Sequence, residues 1–363
     1  MSDPIKVILL FGGRSAEHEV SLLSARSVAN AAPQERIAIT PMCIARDGRF
    51  VGPERSARIL AGGEPSVNGD ADFSFEMWSR SADLDIVFPL IHGTGGEDGS
   101  LQGYLELLGL PYVGSGVTAS AVGMDKVHMK QAFASAKLPM VDYVALYEHE
   151  WKHERERVTR NIANALRLPY FVKPANSGSS VGVTKVKNDA DLIKAVEHAL
   201  RFDEKVLIER GVDAREIEVA VLGNDKPEAS VPGEIVAGGD FYDYADKYVD
   251  TKSQLVIPAK LAADKSAEFR RLAVAAFKAI NAAGFARVDF FLERGTNRLY
   301  LNEINTIPGF TNISMYPKLW EATELKYPRL IERLIQLGME RSKGKAGRGE
   351  TTMKWFDEVK SLV

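Results

Sequence analysis

Arg287-Val288-Asp289-Phe290-Phe291-Leu292-Glu293, Arg294-Gly295-Thr296-Asn297-Arg298, Leu299-Tyr300-Leu301-Asn302-Glu303-Ile304-Asn305-Thr306-Ile307-Pro308-Gly309: this stretch decides how the rest of the chain is read. Residues 288 to 293 and 299 to 304 are rich in aromatic and branched side chains and flank the turn-forming residues 294 to 297, which predicts a β-hairpin. Side chains two apart share a face, so Glu303 and Asn305 point the same way. A turn of three or five residues would place Asp289 opposite Glu303 and add its carboxylate to the cluster. A solvated edge hairpin is the simplest alternative. Against it stand Phe290, Phe291, Leu292, Leu299, Tyr300 and Leu301, which should cover both faces, and a covered carboxylate without a partner costs several kcal/mol. Two carboxylates and an amide oxygen suit Mg2+, which completes its shell with water and phosphate oxygens, so the segment points to phosphate chemistry.

The chain has 363 residues, more than one hydrophobic core usually organises, so two or three domains are expected. At 45% hydrophobic, 26% charged and a formal net charge of -3, it reads as an ordinary soluble globular protein with small-molecule substrates, and the alternation of strands and helices described next makes it α/β (α+β). That charge gives no basic footprint for nucleic acid. The single cysteine, Cys43, excludes an internal disulfide and a Cys-rich zinc site and fits a reducing, cytoplasmic setting. Val7 to Phe11 is too short to span a membrane and is interrupted by Gly12-Gly13-Arg14, so it reads as a buried strand with no membrane role.

Residues 1 to 124 alternate strand-like runs at Lys6 to Phe11, Ile37 to Ala45 and Leu84 to Ile91 with helical patterns, as a parallel sheet requires. Ser15 is an N-cap candidate for the helix that follows the first strand. A second unit, 125 to 211, opens with a helix at Lys126 to Ala136 and holds strands at Tyr170 to Pro174 and Val181 to Val186; the charged run 148 to 160 reads as a solvated helical face. A third unit, 212 to 340, carries Ile217 to Leu222, a helix near Ala267 to Ala283, and the hairpin. The tail 341 to 363 reads as a basic glycine-containing linker followed by helically spaced Met353, Trp355, Phe356, Val359 and Leu362, with no role assigned.

Several constellations complement the hairpin. Lys173-Pro174-Ala175-Asn176-Ser177-Gly178-Ser179-Ser180-Val181-Gly182 could close backbone amides over phosphate oxygens, with Lys173 adding charge, although a plain hairpin connection has the same composition. Lys205 to Arg210 is a buried strand ending in Glu209 and Arg210, beside which a nucleotide base could stack, and Glu216 could accept ribose hydroxyls. Residues 233 to 258 form a long aromatic-rich loop that would serve as a lid, with Lys247-Tyr248 near its centre. His18, His128, His149, His153 and His198 stand in helical, mostly charged contexts and read as solvated. His92 differs, lying where a strand gives way to a glycine loop.

Taken together, GGRSAEHEVSL from Gly12, HGTGGEDG from His92, Met124-Asp125-Lys126, FVKPANSGSSVG from Phe171, VLIER from Val206, FYDYADKY from Phe241, ARVDFF from Ala286 and NEINTIPGF from Asn302 resemble the D-alanine:D-alanine ligase family of ATP-grasp enzymes, in order over about residues 5 to 340. The resemblance implies three domains: an N-terminal Rossmann-like parallel-sheet domain, then two whose antiparallel sheets sandwich ATP, usually in a homodimer. It implies that Lys126 and Lys173 contact ATP phosphates, Glu209 and Arg210 the adenine region, and Glu216 the ribose. Asp289, Glu303 and Asn305 would bind two Mg2+ ions, with Mn2+ as an alternative. Glu17 would hold the ammonium of the first D-alanine beside His92, and Ser314 with Met315 would contact the second. Glu17, Ser179 and Tyr248 would link across the closed lid.

The implied chemistry is phosphorylation of the first D-alanine carboxylate, assisted by Lys173 and Lys247, then attack by the second D-alanine as a neutral amine, with the oxyanion met by Arg287 and the Gly309 amide. Relatives that make the D-lactate ester commonly carry a histidine in the lid, where this chain has Lys247-Tyr248. A D-lactate or D-serine acceptor is the same-class alternative, and an inactive nucleotide-binding regulator the different-class one. A Rossmann dehydrogenase is disfavoured because no Gly-x-Gly-x-x-Gly follows the first strand.

Overall fold

The computed structural model describes residues 3–236 and 254–360. Its strands fall into three sheets. The first is ordered β3-β2-β1-β4, with β1 Ile5–Gly12, β2 Ile37–Ile44, β3 Phe50–Val51 and β4 Ile86–Pro89. β1 runs parallel to both β2 and β4, as the apolar runs predicted, and β3 adds an antiparallel edge. Val7, Leu9 and Phe11 face one core and Ile8 and Leu10 another, so β1 is apolar throughout because it is covered on both faces.

The second sheet is antiparallel and ordered β5-β8-β6-β7, with β5 Tyr143–Tyr147, β6 Tyr170–Pro174, β7 Thr184–Val186 and β8 Lys205–Arg210. β7 starts later than the sequence predicted because Val181 to Val183 still belong to the Ser/Gly turn. The third sheet joins β9 Ala214–Gly223, β10 Glu228–Ala229, β11 Gly233–Val236, β12 Gln254–Val256, β13 Gly284–Glu293 and β14 Leu299–Asn305, with β9 and β13 at its centre.

Alternation sorts the third sheet into two chemistries. Ile217, Val219, Val221, Val288, Phe290, Leu292, Leu301 and Ile304 pack against Phe269, Leu272, Ala276 and Phe277 of the helix Ala263–Ala279. The other face carries charge. β13 and β14 pair as Phe290↔Leu301 but Asp289↔Glu303, with a bulge between. The expected pairing of Asp289 with Glu303 is therefore present, but an odd-length turn does not create it. Glu293 N bonds Arg298 O across an even four-residue turn, and the unpaired Asn302 supplies the shift. That extra residue lets Leu301 stay in the core while Glu303, only two positions on, joins the opposite face.

Two local expectations are corrected. Ser15 does not cap the helix His18–Ala31, whose N-cap is Glu17; its hydroxyl donates instead to His92 O at 2.6 Å. The tail is no linker, since one helix runs unbroken over Tyr327–Lys360. Leu330, Ile331, Leu334, Ile335 and Leu337 of that helix share a core with Val7, Leu9, Ile86 and Phe88 of the first sheet.

Candidate active site

The carboxyl ends of neighbouring β1 and β4 present Glu17 and His92, the place where open α/β sheets hold ligands. Ser15 ties the two loops together: besides donating to His92 O, its oxygen accepts from Glu17 N at 3.2 Å. His92 is buried, with Nδ1 2.9 Å from Ile307 O and Nε2 2.9 Å from the Ser24 hydroxyl. A carbonyl only accepts, so Nδ1 carries the proton and Nε2 accepts from Ser24. Burial pushes its pKa below the usual histidine range, which keeps the ring neutral. His18, expected in solvent, is likewise fully buried, its nitrogens against Gly13 O at 2.6 Å and Ser66 Oγ at 2.5 Å.

Glu97 joins this corner, accepting from Gly93 N at 2.9 Å and Ile307 N at 3.1 Å. Loss of water around it and the nearby Glu17 charge push its carboxyl up to about 8. Sequence reading missed it, although an acid within a glycine-rich loop was the available signal. Glu17 also accepts the Ser179 hydroxyl from the Ser/Gly loop of the second sheet. Gly178 makes that approach possible, since a Cβ there would lie 2.8 Å from Glu17 Oε2. Ser179 itself has φ 49°, a left-handed conformation that a serine tolerates only in a tightly held loop.

On the charged face of the third sheet, Arg287 forks onto Asp289 with two bonds of 2.7 Å, and its Nε lies 2.9 Å from Glu218. Despite burial, which opposes its charge, these carboxylates hold Arg287 well above the usual arginine value. Asn305 donates to Asp289 at 3.0 Å. Glu303 stands across the ladder from Asp289 and 3.8 Å from Lys126 Nζ. Glu216 lies two residues before Glu218 on β9, on the same face. Glu218 was not picked out by the sequence reading, though its alternation with Glu216 offered a clue.

The second sheet answers with cations. Lys126 opens the helix Lys126–Ser135 and donates to Ser177 O at 2.7 Å. Lys173 of β6 pairs with Glu209 of β8, and Lys130, unnoticed in the sequence, stands 2.5 Å from the other Glu209 oxygen. Arg210 is held apart from Glu209, near Glu293 at 3.4 Å and the Tyr300 hydroxyl at 3.3 Å. Lys126 and Glu303 thus bridge the second and third sheets.

The structure therefore brings Glu17, His92 and Ser179 into one corner, Asp289, Glu303, Asn305 and Arg287 onto one face, and Lys126, Lys173 and Glu209 against that face. Gly309 and Ser314 follow the hairpin, and a Cβ on Gly309 would lie 3.2 Å from Ser314 Oγ. Met315 is buried in the core, so a ligand could meet it only through its backbone. The loop expected over 233 to 258 is shorter at both ends, because Gly233–Val236 and Gln254–Val256 pair as strands β11 and β12; residues 237–253, with Lys247 and Tyr248, lie outside the described residues.

Among the described residues no three His, Cys, Asp or Glu side chains form a ready-made metal cage. Asp289, Glu303 and Asn305 instead form the incomplete oxygen set that suits a hard divalent cation sharing its shell with phosphate and water. No described helix is long and apolar enough to cross a membrane.

Comparison with known proteins agrees with this geometry. Residues 6–115 match the family described as D-ala D-ala ligase N-terminus and residues 132–336 that described as D-ala D-ala ligase C-terminus. The D-alanine–D-alanine ligase of Halothermothrix orenii is 49% identical over 93% of this chain and 98% of its own length. That of Bacillus cytotoxicus is 46% identical, over 94% and 97%. The solved D-alanine-D-alanine ligase of Coxiella burnetii superposes with a TM-score of 0.81 at 35% identity, covering 100% of both chains. The D-Ala:D-Ser ligase VanG of Enterococcus faecalis does so with a TM-score of 0.81 at 32% identity, covering 93% of this chain and 100% of that one. With both family segments, near-full-length relatives and the ATP-grasp sheets in place, the chain belongs to the D-alanine–D-alanine ligase family.

Proposed function

We propose that this protein joins two D-alanine molecules into D-alanyl-D-alanine, using ATP, for peptidoglycan precursor synthesis. The observation that carries this reading is the charged face of the third sheet, with Arg287, Asp289, Glu303 and Asn305, met by Lys126 at the start of its helix and by Lys173 and Glu209 of the second sheet. A carboxylate is a poor electrophile, so the first D-alanine is phosphorylated on a carboxylate oxygen as ADP leaves. Glu17 holds its ammonium, and the neutral His92 ring stands beside it without adding charge. The second D-alanine attacks the acyl carbon through its neutral amine, and phosphate leaves. Arg287 and the Gly309 N–H receive the oxyanion. Arg287 suits this role because Asp289 grips its Nε–Nη2 edge and Glu218 stands against the same Nε, which together fix the guanidinium in place.

Lys126 and Lys173 bind ATP phosphates, Glu209 and Arg210 the adenine region, and Glu216 the ribose. Asp289, Glu303 and Asn305 would hold two Mg2+ ions, or Mn2+ in their place, and the metal would supply charge neutralisation of the triphosphate. Ser314 and the Met315 backbone contact the second substrate, while Lys247 and Tyr248 close the lid, Tyr248 bonding toward Glu17 and Ser179. We read 1–124, 125–211 and 212–340 as the chain's three domains. A cytoplasmic homodimer completes the reading.

The test is phosphate release from ATP with product analysis. Release that requires both D-alanine and Mg2+, with D-alanyl-D-alanine as product, is expected; no turnover over a wide range of D-alanine concentrations would falsify it. The likeness to a D-Ala:D-Ser ligase makes D-serine the competing acceptor. Mixed-acceptor product ratios distinguish the two, with D-lactate as a further control.

A further inference from the structure

Lys130 is the most deeply buried lysine among the described residues, 1% exposed, and none of the functions above uses it. It sits one turn after Lys126 on the same helix face. Its Nζ is 2.5 Å from Glu209 Oε1, 3.5 Å from Asn302 O, and 5.7 Å from the centre of the Tyr143 ring. Glu209 is also buried, and Lys173 occupies its other oxygen. A buried ion pair is poor value for stability, since apolar residues of similar size often serve as well or better. A lysine placed here therefore calls for another reason.

That reason lies in what happens to Glu209 when Lys173 turns to a phosphate. Burial alone would raise the Glu209 carboxyl, but Lys130 and Lys173 together hold it down to about 2. Losing a partner would favour its protonated form, which adds an O–H donor to a group that otherwise only accepts. Lys173 is half of that restraint and is on call elsewhere. Lys130 is held in place beside Glu209, Asn302 and Tyr143, with the charges of Lys173 and Glu303 nearby.

We propose that Lys130 is a positioning residue for purine recognition, fixing the Glu209 carboxylate as a hydrogen-bond acceptor for the 6-amino group of adenine and so rejecting the 6-oxo group of guanine. This rests on the reading that ATP binds between the second and third sheets with its base at Glu209. Adenine presents a donor at that position and guanine an acceptor, so the protonation state of one carboxyl sets which base fits.

The experiment uses the full chain and its variants K130M, K130R, E209Q and K130M/E209Q, with folding checked by circular dichroism. KM for ATP and for GTP is measured at saturating D-alanine from pH 6 to 8.5. K130M is expected to raise KM for ATP about tenfold, the scale of one charge-assisted hydrogen bond, and to lower the ATP-over-GTP preference by a similar factor, with KM for D-alanine within about twofold. Its KM for ATP should fall as pH rises, because Glu209 regains its charge, whereas the wild-type value stays flat. K130R should restore part of the preference, and K130M should add nothing to E209Q. Wild-type nucleotide preference in K130M beside an altered preference in E209Q overturns the assignment of Lys130 alone. An unaltered preference in E209Q, or no ATP use by the wild type, instead overturns the nucleotide-site reading beneath it. If K130M does not fold, the double variant decides: a KM for ATP equal to that of E209Q supports the proposal, and a clearly higher one overturns it.

Discussion

The Glu97 carboxyl shows how one side chain couples the substrate corner to pH. Its folded pKa of about 8 lies above the ordinary value of 4.5. A raised pKa adds stability that is fully present below pH 4.5 and is lost as pH rises through about 8. Removing the neighbouring charge with Glu17→Gln should relieve that loss. Urea unfolding without ligands should show the variant about 1 kcal/mol more stable than wild type near pH 8.5 and indistinguishable near pH 4, after allowance for solvent screening. Equal stability at both pH values would remove the coupling. At Arg287, Lys keeps the charge but not the fork, so Arg287→Lys should lower kcat about 100-fold with little change in KM for ATP, as steady-state kinetics would show.

Residue identity exposed part of this site in advance. Asp289, Glu303 and Asn305 were legible because oxygen ligands stood out against apolar neighbours in a two-residue repeat. Glu97, Lys130 and Glu218 were not, because nothing local says that a charged side chain will be enclosed; their partners come from other elements. His18 failed for the same reason. Its companion Ser66 lies 48 positions away, and a charged helical stretch concealed it.

Among the elements, the helix Lys126–Ser135 depends on the residue that caps it, Asp125, more than on its composition. Asp125 Oδ1 accepts from Val127 N at 3.0 Å and His128 N at 3.1 Å, while Oδ2 pairs with the largely buried Lys205. Asp125→Ala should therefore cost more than the ~1 kcal/mol of a lost cap. Stranding Lys205 adds to it, and denaturant unfolding should register a total of about 3–5 kcal/mol. Asp125→Asn keeps the cap and should lose less; equal losses would deny the ion pair its part. The pattern of the sequence foretold this helix and the hairpin, both strongly periodic. It did not foretell the bulge at Asn302, because one extra residue in a strand leaves no mark on composition, and only the demand of Leu301 for the core reveals it.

Across the whole molecule, the helix Tyr327–Lys360 changes character along its length. From Leu330 to Leu337 its apolar residues are buried; from Lys343 to Asp357 it is exposed. Deleting 343–363 removes the Lys345–Glu106 pair, whose side chains are 58% and 29% exposed, a contact worth at most about 1 kcal/mol. A thermal melt should shift by only a few degrees. Ending the chain before Leu330 removes five buried aliphatic side chains, each worth about 2–5 kcal/mol even when only truncated. That exceeds a typical total stability of about 5–15 kcal/mol, and no cooperative melt should survive. The glycines and charges of 341 to 350 suggested a linker, yet helix continuity from an anchored turn carried through them.

Residues 7–11 and 330–337 share one apolar cluster, and biosynthesis separates them in time. Val7 and Leu9 leave the ribosome early, but Leu330 and Leu334 of the same cluster follow only after the whole stretch between them. At ordinary elongation speeds the wait is on the order of tens of seconds. During translation the nascent amino-terminal sheet holds an uncovered greasy flank, and a holding chaperone should bind stalled nascent chains that stop short of Leu330 and release those that extend past it.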